Sequence, residues 1–271
     1  MKNLFLFFSF FFLTIFSNAQ RFEIIDSLKN AINTTVEDTN RANLYIEISH
    51  EYEKGDVISA NAYTDSALRL SEKLNFSSGI IASYSSLAAL SWIKGNYQDA
   101  LKFSNKNLEM FKSQNDKRGA SKILGHLGLI YSEIGNYSEA LKYYLEALKI
   151  NEERNDTVGI CVQLNNIGIV YCDQGNNEKA LEFHNRALTI AVQNNDKRRM
   201  SNSFLNIGVV YKNIADKSNK KFDLMKAAEF YEKALKDNQE GIMMKSLKAN
   251  YEFYKNEVKA WKAIEVEEWS G

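Results

Sequence analysis

Proline is absent from all 271 residues, so whatever ends the helices of this chain is not a proline ring. Cysteine is nearly absent. Cys161 and Cys172 lie 11 residues apart on one helical segment, which separates them by about 16 Å along the axis. A disulfide needs Cα atoms within about 7 Å, so the two cannot pair with each other. Two free thiols are expected, with Cys161 buried or half-buried; an intermolecular bridge through Cys172 is the alternative. Histidine occurs three times, as His50, His126 and His184, with no HxxxH, no CxxC and no second ligand at metal spacing. No G-x-S-x-G occurs, and no glycine loop is built to cradle phosphate. Acidic residues follow solvent-face spacing. The chain therefore reads as non-enzymatic, with no catalytic residue, no metal site and no cofactor. Neither sign of charge is in excess, with 34 basic and 34 acidic residues. That balance argues against nucleic acid as a partner, since such binding rests on clustered positive charge. Lys117-Arg118 and Lys197-Arg198-Arg199 are local clusters at repeat junctions and read as surface charge.

Long apolar runs are missing beyond the N-terminus. There, Lys2 precedes an apolar stretch from Leu4 to Phe16, interrupted by Ser9 and Thr14, and Ser17-Asn18-Ala19 forms a small-x-small site. Residues 1–19 read as a secretory signal peptide cleaved near Ala19, leaving Gln20 first. The run is short for a span of about 20 residues, which favours cleavage over anchoring. No cysteine follows the site, so a lipoprotein signal is not expected. The expected product is exported, periplasmic or secreted, with no membrane span in the mature chain.

What the chain does have is a repeat. GDVISAN begins at 55, GNYQDAL at 95, GNYSEAL at 135 and GNNEKAL at 175, a spacing of 40 each time. A fixed period in this range means stacked supersecondary units. Around Gly135, Leu124, Leu127, Gly128 and Tyr131 upstream and Ala140, Leu141, Tyr144, Ala147 and Leu148 downstream fall on helical faces. Gly135 reads as the left-handed residue closing the first helix. Each unit is thus helix A, a tight turn and helix B. Gly128 and Ala140 mark where two helices approach closely. The pattern recurs at Gly168, Tyr171, Gly175, Ala180 and Ala187, and again at Gly208, Tyr211, Ala227, Tyr231 and Ala234. Ala88 and Ala100 hold equivalent places in an earlier copy, and Ala60 and Ala67 in the first, whose helix A (Leu44 to Tyr52) is degenerate. Asn115-Asp116, Asn155-Asp156 and Asn195-Asp196 recur in register and read as N-cap signals. His184 takes the place of Tyr144 one repeat earlier and reads as a packed core histidine.

The small residue–xx–Tyr of helix A, the turn glycine and the Ala-x6-Ala of helix B resemble the tetratricopeptide repeat family, over roughly residues 38 to 238. The period of 40 rather than 34 and the missing proline depart from the usual pattern, and long-repeat relatives resemble kinesin light chains and bacterial peptide-sensing regulators. The resemblance implies an all-α, right-handed α-solenoid. The expected layout is a capping helix over 20–37 and five repeats over 38–241 with a lysine-rich insertion near 216–223. A degenerate terminal repeat and polar tail follow over 242–271.

The resemblance also implies that helices A line a concave groove. At 100° per residue, the face opposite the packed one holds Lys122, His126, Leu129 and Glu133 in the third repeat. It holds Val162, Asn166, Ile169 and Asp173 in the fourth, Asn202, Asn206, Val209 and Asn213 in the fifth, and Ala82, Ser86, Ala89 and Ile93 in the second. A hydrogen-bonding rung (Ser86, His126, Asn166, Asn206) thus runs beside an apolar rung (Ala89, Leu129, Ile169, Val209). Amide side chains both donate to and accept from a peptide backbone whatever its sequence. The run Asn165-Asn166-Ile167-Gly168 resembles helix A of kinesin light chains and peptide-sensing regulators, whose asparagines hold peptide backbone. The alternative is that these residues are ordinary polar surface. The expected partner is a peptide or protein segment. A sensor portion of a bacterial signalling protein and a self-associating scaffold are the other readings.

Overall fold

The computed structural model describes residues 21–218, Lys54 apart, together with Lys226, Glu229, Glu232 and Lys233. Residues 1–20, expected to hold a signal peptide, most of the insertion, Ala227, Tyr231, Ala234 and the terminal segment 242–271 lie outside the described residues. The fold is all-α. A first helix, α1, covers residues 21–34. Nine follow: α2 (Thr39–Glu53), α3 (Val57–Lys73), α4 (Ser77–Ile93), α5 (Tyr97–Ser113), α6 (Lys117–Glu133), α7 (Tyr137–Glu153), α8 (Thr157–Asp173), α9 (Asn177–Gln193) and α10 (Lys197–Ser218). Even-numbered helices from α2 are the A helices and odd-numbered ones from α3 the B helices. From α4 to α9 each helix has 17 residues and each joint has three, which twice over makes the period of 40. The fifth A helix, α10, has 22 residues and runs into the insertion.

The three-residue joints explain how helices end without proline. Gly95, Gly135 and Gly175 have φ of 72°, 81° and 76°. At Gly135 the amide bonds the Ser132 carbonyl and the next amide, Asn136, bonds back to Tyr131, both at 2.9 Å, a Schellman closure. Nothing lies within 4 Å of where a Gly135 Cβ would stand, so the backbone angle and not space calls for glycine. The next residue caps the following helix: the Asn136 side chain accepts from the Glu139 amide. In the B-to-A joints the left-handed residue is asparagine, at Asn75, Asn115, Asn155 and Asn195, with φ of 50° to 55°. The recurring Asn–Asp pair therefore divides its work, with the aspartate supplying the N-cap that the sequence pattern signals. Asn155 closes α7, and Asp156 caps α8 by accepting from Gly159 N. Asparagine tolerates the left-handed region better than other non-glycine residues.

The contacts divide the chain into two compact units that meet at Asp116 and Lys117. In the first, α1 lies against the opening repeat, with Ile25 buried and Lys29 donating to the Tyr52 hydroxyl at 3.0 Å. Its core includes Ile48, Ala60, Ala67, Leu90 and Ala100, all fully buried. In the second, Ala140, Tyr144, Leu148, Leu164, Ile167, Val170 and Ala187 form one cluster. The close approach at Gly128 is real: a Cβ there would stand 2.6 Å from the Tyr144 ring. At Gly168 it would stand 2.5 Å from the His184 ring. Each glycine is the socket for one side chain of its partner helix B.

Candidate functional site

The A helices of the second unit present the exposed face that the helical spacing placed there. Lys122, His126 and Leu129 on α6 are exposed, as are Val162 and Ile169 on α8. Asn166 on α8 and Asn202, Asn206, Val209 and Asn213 on α10 are half-buried. Desolvation by the surrounding protein atoms, then the Lys122 charge, lowers the His126 pKa. Asp173, at the far end of α8, is pushed the other way, by partial burial and then by Glu133 of α6.

Two expected groove residues are buried. Ser86, in the first unit, is buried and bonds His50 Nε2 at 3.1 Å. It ties α2 to α4 instead of facing solvent, and its neighbour Ala89 alone of that pair stays exposed. Asn165 is also buried. It meets the buried His184. Asn165 Oδ1 lies 2.9 Å from His184 Nδ1, and its Nδ2 donates to Ser203 Oγ at 3.2 Å. The chain fixes the tautomer: an amide oxygen only accepts, so Nδ1 carries the proton. Burial holds the His184 pKa down at about 4, so the ring is neutral at ordinary pH.

Between α8 and α10 lies a cleft of about 330 Å³. Cys161, Val162, Asn165, Asn166 and Ile169 line it from α8. Arg198, Arg199, Asn202, Leu205 and Asn206 line it from α10. The structure thus brings together Asn165, Asn166, Ile169, Asn202 and Asn206 of the expected groove. Lys122, His126, Leu129, Val209 and Asn213 do not line this cleft; Asn213 instead donates to Cys172 Sγ at 3.2 Å. Among the described residues neither cysteine forms a disulfide, and burial raises the Cys161 thiol pKa.

Arg198, Arg199 and Leu205 are lining residues that face-by-face reading missed. One signal was present: Arg199 stands where earlier repeats have Gly79, Gly119 and Gly159. A Cβ at Gly159 would stand 2.6 Å from Asn151. At Arg199 the residue opposite in register is the smaller Ala191, which leaves room for the longer chain. Burial alone would raise the Asp196 carboxyl, but the Arg199 amide and guanidinium bring it below its ordinary range. These contacts measure 3.1 Å to the amide and 2.6 Å to Nη1.

Paired antiparallel helices of constant length, joined by three-residue turns, define an all-α helical-repeat protein. The sequence profile of the tetratricopeptide repeat family matches residues 79–153 and 160–218. These repeats belong to the tetratricopeptide repeat family. Solved structures agree on the fold. A signal transduction ATPase with numerous domains from Pyrococcus horikoshii, which carries a tetratricopeptide repeat sensor, is 20% identical with a TM-score of 0.67. The match covers 93% of this chain and 41% of that one. A Rap protein complexed with Competence and Sporulation Factor is 17% identical, with a TM-score of 0.59 over 93% of this chain and 73% of that one. The nearly identical repeats of a proposed kinesin light chain from Podosopora anserina are 15% identical, with a TM-score of 0.59 over 75% of this chain and 97% of theirs. At these identities the likeness concerns the fold alone. No curated protein matches the sequence. Among the described residues no helix is long and apolar enough to cross a membrane.

Proposed function

We propose that this protein is a non-enzymatic interaction module that holds an extended peptide or protein segment against the A helices of its second unit. The observation that carries this reading is the α8–α10 cleft, where Asn166, Asn202 and Asn206 converge beside Val162, Ile169 and Leu205. Convergent amides in an apolar concavity satisfy a peptide backbone while burying its side chains. At about 330 Å³ the cleft lies at the small end of the range for ligand sites, roughly 300–1,000 Å³. The structural relative solved with Competence and Sporulation Factor supports the same use of the fold. Export follows from the signal-peptide pattern of residues 1–19.

The test is a pull-down from the exported fraction with wild-type protein and an Asn166→Ala/Asn206→Ala variant, read by mass spectrometry. Circular dichroism should show equal helicity. A partner lost by the variant is the expected result; one retained equally would move the site to the B helices or the insertion. The mass of the exported chain tests cleavage: retention of residues 1–19 would overturn the leader. A second reading has its own support. The match to part of a signalling ATPase that carries a repeat sensor favours a sensing portion of a bacterial signal-transduction protein. A partner whose binding changes the output of a kinase or transcription regulator would decide for it.

A further inference from the structure

We infer that the buried chain from His184 through Asn165 to Ser203 is an acid-released latch: protonation of the His184 ring parts α9 from α8 and uncovers the Cys161 thiol. Such a latch works whether or not a peptide occupies the A helices.

The latch stands on the donors and acceptors of one buried chain. His184 Nδ1–H donates to Asn165 Oδ1 at 2.9 Å, and Asn165 Nδ2 donates to Ser203 Oγ at 3.2 Å. All three side chains are buried, and they belong to α9, α8 and α10 in turn. The other ring nitrogen, Nε2, is hydrogen-bonded to none of the described residues. It faces the backbone of α8, 2.8 Å from where a Gly168 Cβ would stand. A proton on Nε2 makes a second donor. Asn165 has already committed its oxygen to Nδ1, and the carbonyls of α8 are engaged within the helix. The closed seam leaves the new donor and its charge unanswered, whereas water answers both once the seam opens.

No charged side chain offsets this. Cys161, Tyr171 and Asp173 of α8, Glu182 and Arg186 of α9 and Arg199 of α10 leave burial as the sole cause of the lowered His184 pKa. Cys161 lies about one turn from Asn165, and its Sγ contacts the Ala187 carbonyl at 3.5 Å, about one turn from His184. The thiol is therefore shut into the same α8–α9 seam. Cys172, at the other end of α8, is half-buried and accepts from Asn213 of α10. Each repeat packs only on its neighbours, so one seam can part while the others hold. The third repeat has Tyr144 in this register and carries no such latch.

The purified full chain would be labelled with a dipyridyl disulfide reagent at pH 7, 6 and 5. Peptide mass spectrometry reads each cysteine, and each rate is scaled to that of the same cysteine in the urea-unfolded chain. With a ring that protonates at about 4 when closed and at 6.5 when open, Cys161 labelling should rise about twentyfold from pH 7 to 5. Cys172 should stay level. His184→Tyr/Asn165→Gly, which copies the third repeat, should abolish the rise at equal helicity. His126 of α6 also has a lowered pKa, so His126→Gln is a second control and should keep the rise. That control still decides the matter if the double variant loses helicity. A Cys161 rate that does not change with pH would overturn the latch. So would equal acceleration of Cys172, a rise that survives in the folded double variant, or a rise lost in His126→Gln.

Discussion

The third and fourth repeats share one backbone plan and fill it differently. In the third, Tyr144 of α7 sits over Gly128 and is almost wholly buried. In the fourth, His184 of α9 sits over Gly168 in the same register. A tyrosine ring is largely apolar and fills the socket by packing. An imidazole brings ring nitrogens that need partners once water is removed. The fourth repeat answers with Asn165, where the third has Gly125. The next A helix compensates in turn. Gly125 faces the long Gln163, with Nε2 3.0 Å from where its Cβ would stand, whereas Asn165 faces the short Ser203. Gly159 against Asn151 and Arg199 in register with Ala191 repeat the exchange of large for small. The Gly125–Gln163 and Asn165–Ser203 pairs are of comparable size while their chemistry differs, which is how a packed interior tolerates substitution. The exchange also sets Asn165 into the wall of the cleft.

The largest expected effect separates packing from hydrogen bonding. Tyr144→Ala should cost about 3–5 kcal/mol, the scale of emptying an aromatic site. Asn165→Ala, which strands the His184 N–H, should cost about 1–3 kcal/mol. Urea unfolding followed by circular dichroism measures both, and the reverse order would mean that the fourth repeat depends on its polar chain more than the third on its tyrosine.

The next effect is confined to the fourth repeat. The folded His184 pKa, at about 4, lies below the ordinary value of 6.5. As pH falls below 6.5 the unfolded chain takes a proton that the folded chain refuses, so stability drops until pH passes below about 4 and is constant beyond it. The loss is on the order of 3 kcal/mol. A His184→Tyr/Asn165→Gly variant, which copies the third repeat, should lack this component. Urea midpoints at pH 7, 5.5 and 4 would show it as a gap between the two curves. Parallel curves would show that His184 is not held neutral by burial.

The smallest effect sharpens the comparison of turns. Gly135→Asn should change stability by less than about 0.5 kcal/mol, because the B-to-A joints already hold asparagine in the same left-handed region. Gly135→Val should cost about 1–2 kcal/mol from the left-handed strain of a β-branched residue. Thermal unfolding of the two variants distinguishes them, and equal losses would show that the joint requires glycine for some reason other than φ.

The sequence by itself determined the period, the pairing of helices, the turn glycines and the side of each A helix that faces out. These follow from spacing alone, since a helix turns 100° per residue and each repeat packs on its neighbours. It also placed Asn166, Asn202 and Asn206 on one surface. Only the tertiary structure decided what became of side chains at the edges of that face. Ser86 and Asn165 sit within reach of a histidine brought from 36 and 19 residues away, and the bonds draw them inward. Arg199 joins the cleft because the residue in register with it is Ala191 and not a second large side chain. Helical periodicity fixes where a side chain starts. Which neighbour it meets depends on volumes and unpaired polar atoms supplied by other helices, and these come together only when the repeats stack.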